Sequence, residues 1–306
     1  MNMKKKIFFY LPYIGLFILV LSSFLLFLKI PFMETWFYSF AWWSFILIMD
    51  GINFRLSHSS FLFKSTALFI QTALFSVSVW LVFELINVSL KNWMYLNLPE
   101  NTLERWIGYF IAFATVIPAL KELSDFFHYL LPQEKLSLFR IQVSPFLLNI
   151  FLGIGVVFLI LTIAFPQYFF PLVWLCFIFI LEPISYRKKI PSLLKQIKNN
   201  HWKIFWSWCL AGFTAGFVWE FLNFYSGTKW DYSIPYFDFA RIFQMPLLGY
   251  FGFIPFALEI YAFFQLFLHF KKELKHKVFL KYLIIVLGFI FNLLVFFLID
   301  VYSSFP

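Results

Sequence analysis

The chain has 306 residues, of which 62% are hydrophobic and 13% are charged, and its formal net charge is +9. An ordinary soluble domain has about 25% charged and about 45–50% apolar residues, so this composition excludes that class. The two cysteines, Cys176 and Cys209, exclude a disulfide scaffold and a cysteine-ligated metal cluster. The composition therefore predicts an all-α, polytopic helical membrane protein.

Nine segments are long and apolar enough to cross a bilayer as helices, which requires about 20 mainly apolar residues. In chain order they are about 7–30, 36–54, 65–88, 105–130, 145–165, 168–186, 202–226, 243–270 and 278–302. The first segment begins with a charged stretch, as a signal peptide does, but its apolar run is too long and no small-residue cleavage site follows it. We therefore expect an uncleaved anchor and about nine transmembrane helices.

The distribution of Lys and Arg predicts the orientation of these spans. With the N-terminus in the cytoplasm, the inner segments carry 19 basic residues and the outer segments carry five. Cytoplasmic loops are enriched in Lys and Arg, so we expect a cytoplasmic N-terminus and an outer C-terminus, in a bacterial inner membrane. The same loops explain the net charge because they face anionic lipid, and no basic stripe with interleaved aromatic residues predicts nucleic-acid binding.

Short motifs recur in the same order along the chain, with offsets of 132 to 137 residues. The matched sets are Trp42, Phe45 and Asp50 with Trp174, Phe177 and Glu182; Glu84 and Asn87 with Glu220 and Asn223; Trp93 and Tyr95 with Trp230 and Tyr232; and Pro118 and Glu122 with Pro255 and Glu259. Aromatic matches arise by accident in a chain rich in Phe and Trp, but matched Glu, Asn and Pro favour a duplication.

The duplication predicts the domain organisation. Two parallel four-helix repeats, 1–131 and 145–270, are joined by a cytoplasmic linker, 132–144, and are followed by a cytoplasmic loop and a ninth span in 271–306. Parallel repeats are related by an axis along the membrane normal. A site between the two repeats would therefore use motifs from both.

Glu84 with Asn87, and Glu220 with Asn223, are the first candidate catalytic residues. A charged carboxylate at the membrane centre costs about 2.5–3.5 kcal/mol on insertion scales. Residues three apart lie on one helix face, and an Asn amide can orient a carboxylate. Each pair is interpreted either as a catalytic or substrate-orienting pair or as an interhelical hydrogen bond between packed helices.

Four further acids recur nearer the cytoplasmic ends of the spans. A proline lies four residues before Glu122 and before Glu259, and it removes a backbone donor and kinks the helix. Such a kink beside an acid is typical of a cavity wall. The alternative is a kink that serves only the packing of the helices, and we favour this alternative for Glu122. Asp50 and Glu182 are predicted near the same level, either as site carboxyls or as solvated helix ends.

Aromatic residues recur in the outer loops as Trp93-x-Tyr95 and Trp230-x-Tyr232. Trp and Tyr are common at the membrane interface; the functional alternative is a substrate entrance whose π-rich wall could stabilise a carbocation. The histidines lack paired metal-ligand spacing, and the chain has no phosphate loop, dinucleotide fingerprint or serine elbow. We therefore expect neither a metal nor a cofactor.

The order of Asp50, Trp93-x-Tyr95 and a span that contains Pro and Glu resembles the small membrane domain of the fused or heterodimeric lycopene cyclases. The resemblance covers about 36–125 and 168–265. The Glu-Glu pair of that family has no counterpart here, since Pro255-Phe-Ala-Leu-Glu259 spaces the acid differently. The resemblance implies two pseudo-equivalent units around an apolar cavity and acid-initiated chemistry on an isoprenoid.

We expect an intramembrane enzyme that uses buried carboxylates for acid–base chemistry on a lipid-like substrate of the isoprenoid or carotenoid class, as a cyclase-like isomerase. Glu220 and Glu259 are the preferred acid and base, Asn223 the orienting group, and Trp230 and Tyr232 the aromatic mouth. A proton-coupled transporter of a lipid or small solute is the alternative, because intramembrane acids and internal repeats are also typical of transporters. The sequence does not predict an oligomeric state.

Overall fold

The structure is a computed structural model that describes residues 3–132, 141–236 and 238–305. Its helices are α1 Met3–Phe27, α2 Pro31–Ser57, α3 Phe61–Lys64, α4 Thr66–Leu90, α5 Thr102–Phe113, α6 Val116–Leu130, α7 Pro145–Ala164, α8 Pro166–Phe169, α9 Val173–Arg187, α10 Leu193–Lys198, α11 Lys203–Tyr225, α12 Phe253–Glu273 and α13 Val278–Tyr302. Short 3-10 turns precede α9 and α12. The strands are β1 Trp93–Leu96, β2 Lys229–Tyr232, β3 Arg241–Ile242, β4 Met245–Pro246 and β5 Ser304–Phe305. Most of the predicted linker 132–144 lies outside the described residues.

Among the described residues, seven helical stretches are both long and apolar enough to cross a membrane, which confirms the all-α, helical membrane class. They are Lys5–Phe27, Thr66–Leu90, Thr102–Leu130, Pro145–Ala164, Pro166–Arg187, Leu247–Glu273 and Val278–Tyr302. The other two predicted segments are also helical: α2 has 27 residues and α11 has 23. These two helices are less apolar because they carry charged side chains together with Trp, Ser and Gly.

The helices of the two halves pack in the same order. In the first half, α1 packs on α2, α2 packs on α6, and α4 packs on α6. In the second half, α7 packs on α9, α9 packs on α12, and α11 packs on α12. The short helices α3 and α10 follow α2 and α9. The last helix, α13, packs against α4 and is outside this pattern.

A small β-sheet joins the two halves. Strand β1 pairs antiparallel with β2, so that Trp93 lies opposite Tyr232 and Tyr95 lies opposite Trp230. Strand β5 pairs parallel with the other edge of β1, with Ser304 opposite Tyr95. The two recurring Trp-x-Tyr motifs therefore lie side by side on one antiparallel ribbon, which we call the β1–β2 ribbon.

Helices α11 and α12 approach each other closely at Gly212. A Cβ atom at this position would lie 2.3 Å from the backbone oxygen of Phe253 and 2.6 Å from the Cβ of Ala257. Small residues allow the backbones of membrane helices to come this close. The glycine therefore sets the distance between two helices of the second half.

Replacing Gly212 by Ala should destabilise the protein by about 1–3 kcal/mol, because the added methyl group overpacks the contact with backbone atoms that cannot move away. The measurement is thermal unfolding in detergent. Gly153→Ala in α7 is the control, since nothing lies within 4 Å of the added methyl group. Equal melting temperatures for both variants would contradict this account of the packing.

Candidate functional site: an aromatic cavity backed by buried carboxyls

A cavity of about 160 Å³ lies beside the β1–β2 ribbon. One water molecule needs about 10–15 Å³ of such space, so the cavity suits a much larger molecule. Fourteen of its lining residues are aromatic, and they come from both halves of the chain. The charged residues that line it are Glu104, Arg105 and Lys229. We call this space the aromatic cavity.

Glu84 lies behind the wall of the aromatic cavity. Its Oε1 accepts hydrogen bonds from Trp80 Nε1 at 2.7 Å, from Trp93 Nε1 at 3.0 Å and from the Tyr95 hydroxyl at 2.5 Å. All three donors line the cavity. Glu84 itself is fully buried, and its Oε2 has no partner among the described residues. One carboxyl group therefore holds three rings of the wall in place.

Glu220 makes the corresponding contact in the second half. The Tyr232 hydroxyl, which lines the same cavity, donates to Glu220 Oε1 at 2.7 Å. Burial, followed by the nearby carboxyl, raises the pKa of Tyr95 and the pKa of Tyr232 well above the ordinary value. Both hydroxyls therefore keep their protons at neutral pH. Two carboxyl–tyrosine pairs thus serve one cavity.

The two recurring asparagines bond to the strands rather than to the glutamates. Asn87 Nδ2 donates to the backbone oxygen of Trp93 at 2.9 Å, and Asn223 Nδ2 donates to that of Trp230 at 2.9 Å. The Oδ1 atoms accept in return, from Asn92 N at 2.9 Å and from Trp230 N at 2.9 Å. Each asparagine therefore fixes the start of a strand of the β1–β2 ribbon to the end of the preceding helix.

Asp50 and Glu182 hold the short helices that follow them. Asp50 accepts from the Ser60 hydroxyl at 2.8 Å and from Leu62 N at 2.8 Å. Glu182 accepts from Leu194 N at 2.9 Å. A carboxylate is stabilised at the first amides of a helix. Both acids are therefore engaged at the N-termini of α3 and α10, away from the aromatic cavity.

Glu122 and Glu259 are fully buried but bond to different partners. Glu122 Oε2 accepts from Asn53 Nδ2 at 2.7 Å, whereas Glu259 Oε1 accepts from Phe177 N at 2.7 Å. Neither glutamate lines the aromatic cavity. Of the recurring carboxyls, all of which are described, Glu84 and Glu220 are those that bond to residues of the cavity wall.

Asp300 near the end of α13 organises another part of the wall, a role that the recurring sequence motifs did not predict. It accepts from Arg105 Nε and Nη2, both at 2.7 Å, from Trp106 Nε1 at 2.8 Å and from the Tyr109 hydroxyl at 3.1 Å. Arg105 and Tyr109 line the aromatic cavity. The available signal was a single acid in the apolar stretch that forms α13 and a single arginine near the start of α5.

The two recurring Trp-x-Tyr motifs thus meet at the aromatic cavity, where their tyrosines and tryptophans form part of the wall. The acids act from behind these rings and do not face the cavity directly. No protein-family model, curated protein or solved structure matches the chain. The function is therefore inferred from the chemistry of this site.

Replacing Asp300 by Asn should lower the stability by about 1.5–3 kcal/mol, the usual value of a hydrogen bond to a charged group, because Arg105 loses its bidentate carboxylate partner. The side chains of Arg105 and Asp300 are 15% and 13% exposed, so water replaces the lost bonds poorly. The measurements are thermal unfolding and acrylamide quenching of tryptophan fluorescence, both of which should reveal a looser wall. The exposed substitution Glu273→Gln is the control, and identical behaviour of the two variants would contradict the role of Asp300.

Proposed function

We propose that the chain is an intramembrane enzyme that performs acid–base chemistry on an isoprenoid-type lipid and yields an isomer or a cyclised product. The observation that carries the proposal is that Tyr95 and Tyr232 line one cavity while each donates to a buried glutamate, at 2.5 and 2.7 Å. A concave, mostly apolar space with a few polar groups is the usual form of a binding site for such a molecule.

One carboxyl–tyrosine pair adds a proton and the other removes one. The π electrons of a substrate double bond form a new C–H bond with the proton from a tyrosine hydroxyl, and the glutamate behind it returns a proton to the phenolic oxygen. The neighbouring carbon is then a carbocation. Loss of a proton from an adjacent carbon to the second pair restores a double bond, so protons and electrons balance. General acid–base catalysis of this kind contributes about 10²–10⁴-fold to a rate.

The hydrogen bonds favour a direction for this transfer. Donors to a carboxyl oxygen stabilise its charged form. Glu84 accepts from three side-chain donors and is suited to begin as the carboxylate, which makes Glu84–Tyr95 the pair that accepts the proton. Glu220 accepts from the Tyr232 hydroxyl and has fewer such donors among the described residues. It is therefore suited to begin protonated, which makes Glu220–Tyr232 the pair that supplies the proton to the substrate.

The rings of the wall support a cationic intermediate. Trp80 lies 6.1 Å from Trp93 and 5.5 Å from Trp219 between ring centroids, and Trp93 lies 6.1 Å from Trp174. All four line the aromatic cavity. A cation over such a ring gains about 0.5–2 kcal/mol. Two of these indoles also donate to Glu84, which increases the electron density of their rings.

We also propose that the chain consists of two parallel repeats, with α13 added. The helix packing of the two halves supports this, as does a ribbon register that places the Trp of each motif opposite the Tyr of the other. The contacts between the halves are also reciprocal: Trp42 packs on Trp219 at 5.7 Å, and Trp174 packs on Phe83 at 5.6 Å between centroids. A two-fold relation between the halves requires such reciprocal contacts.

The proposed chemistry predicts that deuterium from D₂O enters the product when the protein in nanodiscs is incubated with phytoene, lycopene or geranylgeraniol. Tyr95→Phe and Tyr232→Phe should each reduce this incorporation by about 10²–10⁴-fold, because each removes one proton-transfer group. Mass spectrometry of the extracted lipid is the measurement. The exposed substitution Tyr225→Phe at the end of α11 is the control.

Full incorporation in both cavity variants would remove Tyr95 and Tyr232 from the mechanism. If substrate-dependent proton movement across the membrane occurs without any deuterium in the lipid, the proton-coupled transporter takes the place of the enzyme. The two activities are thus separated by whether a C–H bond forms.

We propose nine spans, with the N-terminus in the cytoplasm and the C-terminus outside a bacterial inner membrane, because 19 of the basic residues then lie on the inner side. Glu100→Cys should react with an impermeant maleimide on intact cells, and Lys275→Cys should react only after lysis. Both positions are exposed, and the native Cys176 and Cys209 are buried, so they give little background. The reverse labelling pattern would overturn this orientation.

A further inference from the structure

We infer that Gly108 determines the length of hydrocarbon chain that the aromatic cavity accepts. Its missing side chain leaves a gap between α2 and α5, which we call the Gly108 passage, and the chain of a ligand extends through this gap into the surrounding lipid. The inference rests on the proposed function for the isoprenoid class of the ligand. It adds that the ligand has a long chain, and it names the residue that selects for this length.

The opening of the aromatic cavity lies along one face of α5. The cavity is partly open to the surroundings of the protein. Of the residues that line it, Glu104 is the exposed one. Gly108 also lines the cavity and is half-buried. Since residues four apart lie on the same face of a helix, the cavity is open on the side of α5 that carries Gly108.

Gly108 presents no side chain to this opening. A Cβ atom built at Gly108 would have two ring atoms of Trp36 as its nearest neighbours, both at 4.0 Å. Trp36 lies in α2 and lines the same cavity. Among the described residues, apart from the chain neighbours of the glycine, no other side-chain atom lies within 4 Å of that Cβ position. The space between the two helices is therefore free at this level.

The second half contains the same Gly-Tyr-Phe triplet, but there the corresponding space is filled. The triplets are Gly108–Phe110 in α5 and Gly249–Phe251 before α12. Gly249 also lines the cavity, yet a Cβ atom at Gly249 would lie 2.2 Å from the Sδ atom of the buried Met245. A methionine thus occupies in the second half the kind of space that is free at Gly108.

Two hydrogen bonds to backbone oxygens delimit the Gly108 passage. Trp43 Nε1 donates to the backbone oxygen of Ile111 at 3.3 Å, which joins α2 to α5 about one helical turn beyond the glycine. Nearer the start of α2, Thr228 Oγ1 donates to the backbone oxygen of Thr35 at 2.7 Å and ties the segment before β2 to this helix. Along α2, Trp36 lies between these two contacts. The passage is therefore bounded on both sides by segments that are hydrogen-bonded to each other.

The surroundings of the passage suit a hydrocarbon chain. Phe32 and Phe40 on α2, and Ile107 and Phe110 on α5, are exposed. Exposed apolar side chains grouped in this way mark a surface that contacts lipid in a membrane protein. A chain that leaves the cavity between α2 and α5 therefore remains in an apolar medium, while the reacting end of the ligand stays beside the two tyrosines of the β1–β2 ribbon.

The test uses the full chain in nanodiscs and follows quenching of its tryptophan fluorescence, since six tryptophans line the cavity. The probes are geraniol, farnesol and geranylgeraniol, which share a hydroxyl group and differ in chain length. Because the polar group is constant, the charged residues at the cavity, Glu104, Arg105 and Lys229, act equally on all three. Longer alcohols partition more strongly into the bilayer, so each affinity is compared between a variant and the unmodified protein in the same nanodiscs.

Gly108→Leu should weaken the binding of geranylgeraniol by about 5- to 150-fold, because the added side chain overpacks the passage. Farnesol should lose less affinity, and geraniol should bind as it does to the unmodified protein. Leu favours a helix more than Gly does, so the variant should fold. Gly153→Leu in α7 is the matched control: Gly153 is exposed, does not line the cavity and has nothing within 4 Å of an added Cβ atom.

A second arm uses the unmodified protein and does not depend on the folding of any variant. Geranylgeraniol that carries a bulky adamantyl group at the end of its chain should bind as tightly as geranylgeraniol itself, because that end lies in the lipid. Geraniol with the same group should bind more weakly than geraniol, because its shorter chain leaves the group inside the wall.

An equal loss of affinity for all three alcohols in Gly108→Leu, no loss for any of them, or the same loss in Gly153→Leu would each overturn the Gly108 passage. Weak binding of the adamantyl derivative of geranylgeraniol, or no binding of any alcohol to the unmodified protein, would also overturn it. If the dependence on chain length is observed but no deuterium enters the lipid, the passage stands and the proposed chemistry fails. Deuterium incorporation without this dependence would support the chemistry and overturn the role of Gly108.

Discussion

Carboxyl groups inside an apolar helix bundle have very few polar partners, and the need to satisfy them organises this molecule. A buried polar group without a hydrogen bond is costly, and a membrane supplies no water to replace one. Around Glu84 the partners are the N–H and O–H groups of Trp80, Trp93 and Tyr95. Indole and phenol rings have one polar edge and apolar faces. The same rings therefore satisfy the acid on one side and form an apolar wall on the other.

The same requirement has a different result in the C-terminal parts of α2 and α9. There Asp50 and Glu182 accept hydrogen bonds from the first amides of α3 and α10, away from the aromatic cavity. Each acid anchors a short helix that leads the chain into the next long one. Asp50 and Glu182 thus fix connections between helices, whereas Glu84 and Glu220 bond to the wall of the candidate site.

The helices were largely predictable from the sequence because long apolar runs have few alternatives in a membrane protein. The recurring acids and aromatic residues were also visible, but their partners were not. Asn87 was expected to orient Glu84, yet it bonds to the backbone of Trp93. Four-residue strands such as β1 and β2 have too little periodicity to predict, since their pairing depends on residues far away in the chain. Arg105 and Asp300, 195 residues apart, show the same limit.

The β1–β2 ribbon is extended by a segment that is synthesised much later. Tyr95 N donates to the backbone oxygen of Ser303 at 2.7 Å, and β5 pairs with the edge of β1. Translation and membrane insertion proceed from the N-terminus. The strand that carries Trp93 and Tyr95 therefore leaves the ribosome roughly two hundred residues before both of its neighbours are complete. Folding of this protein thus includes a late step, in which β5 pairs with the edge of β1 after the rest of the chain has been synthesised.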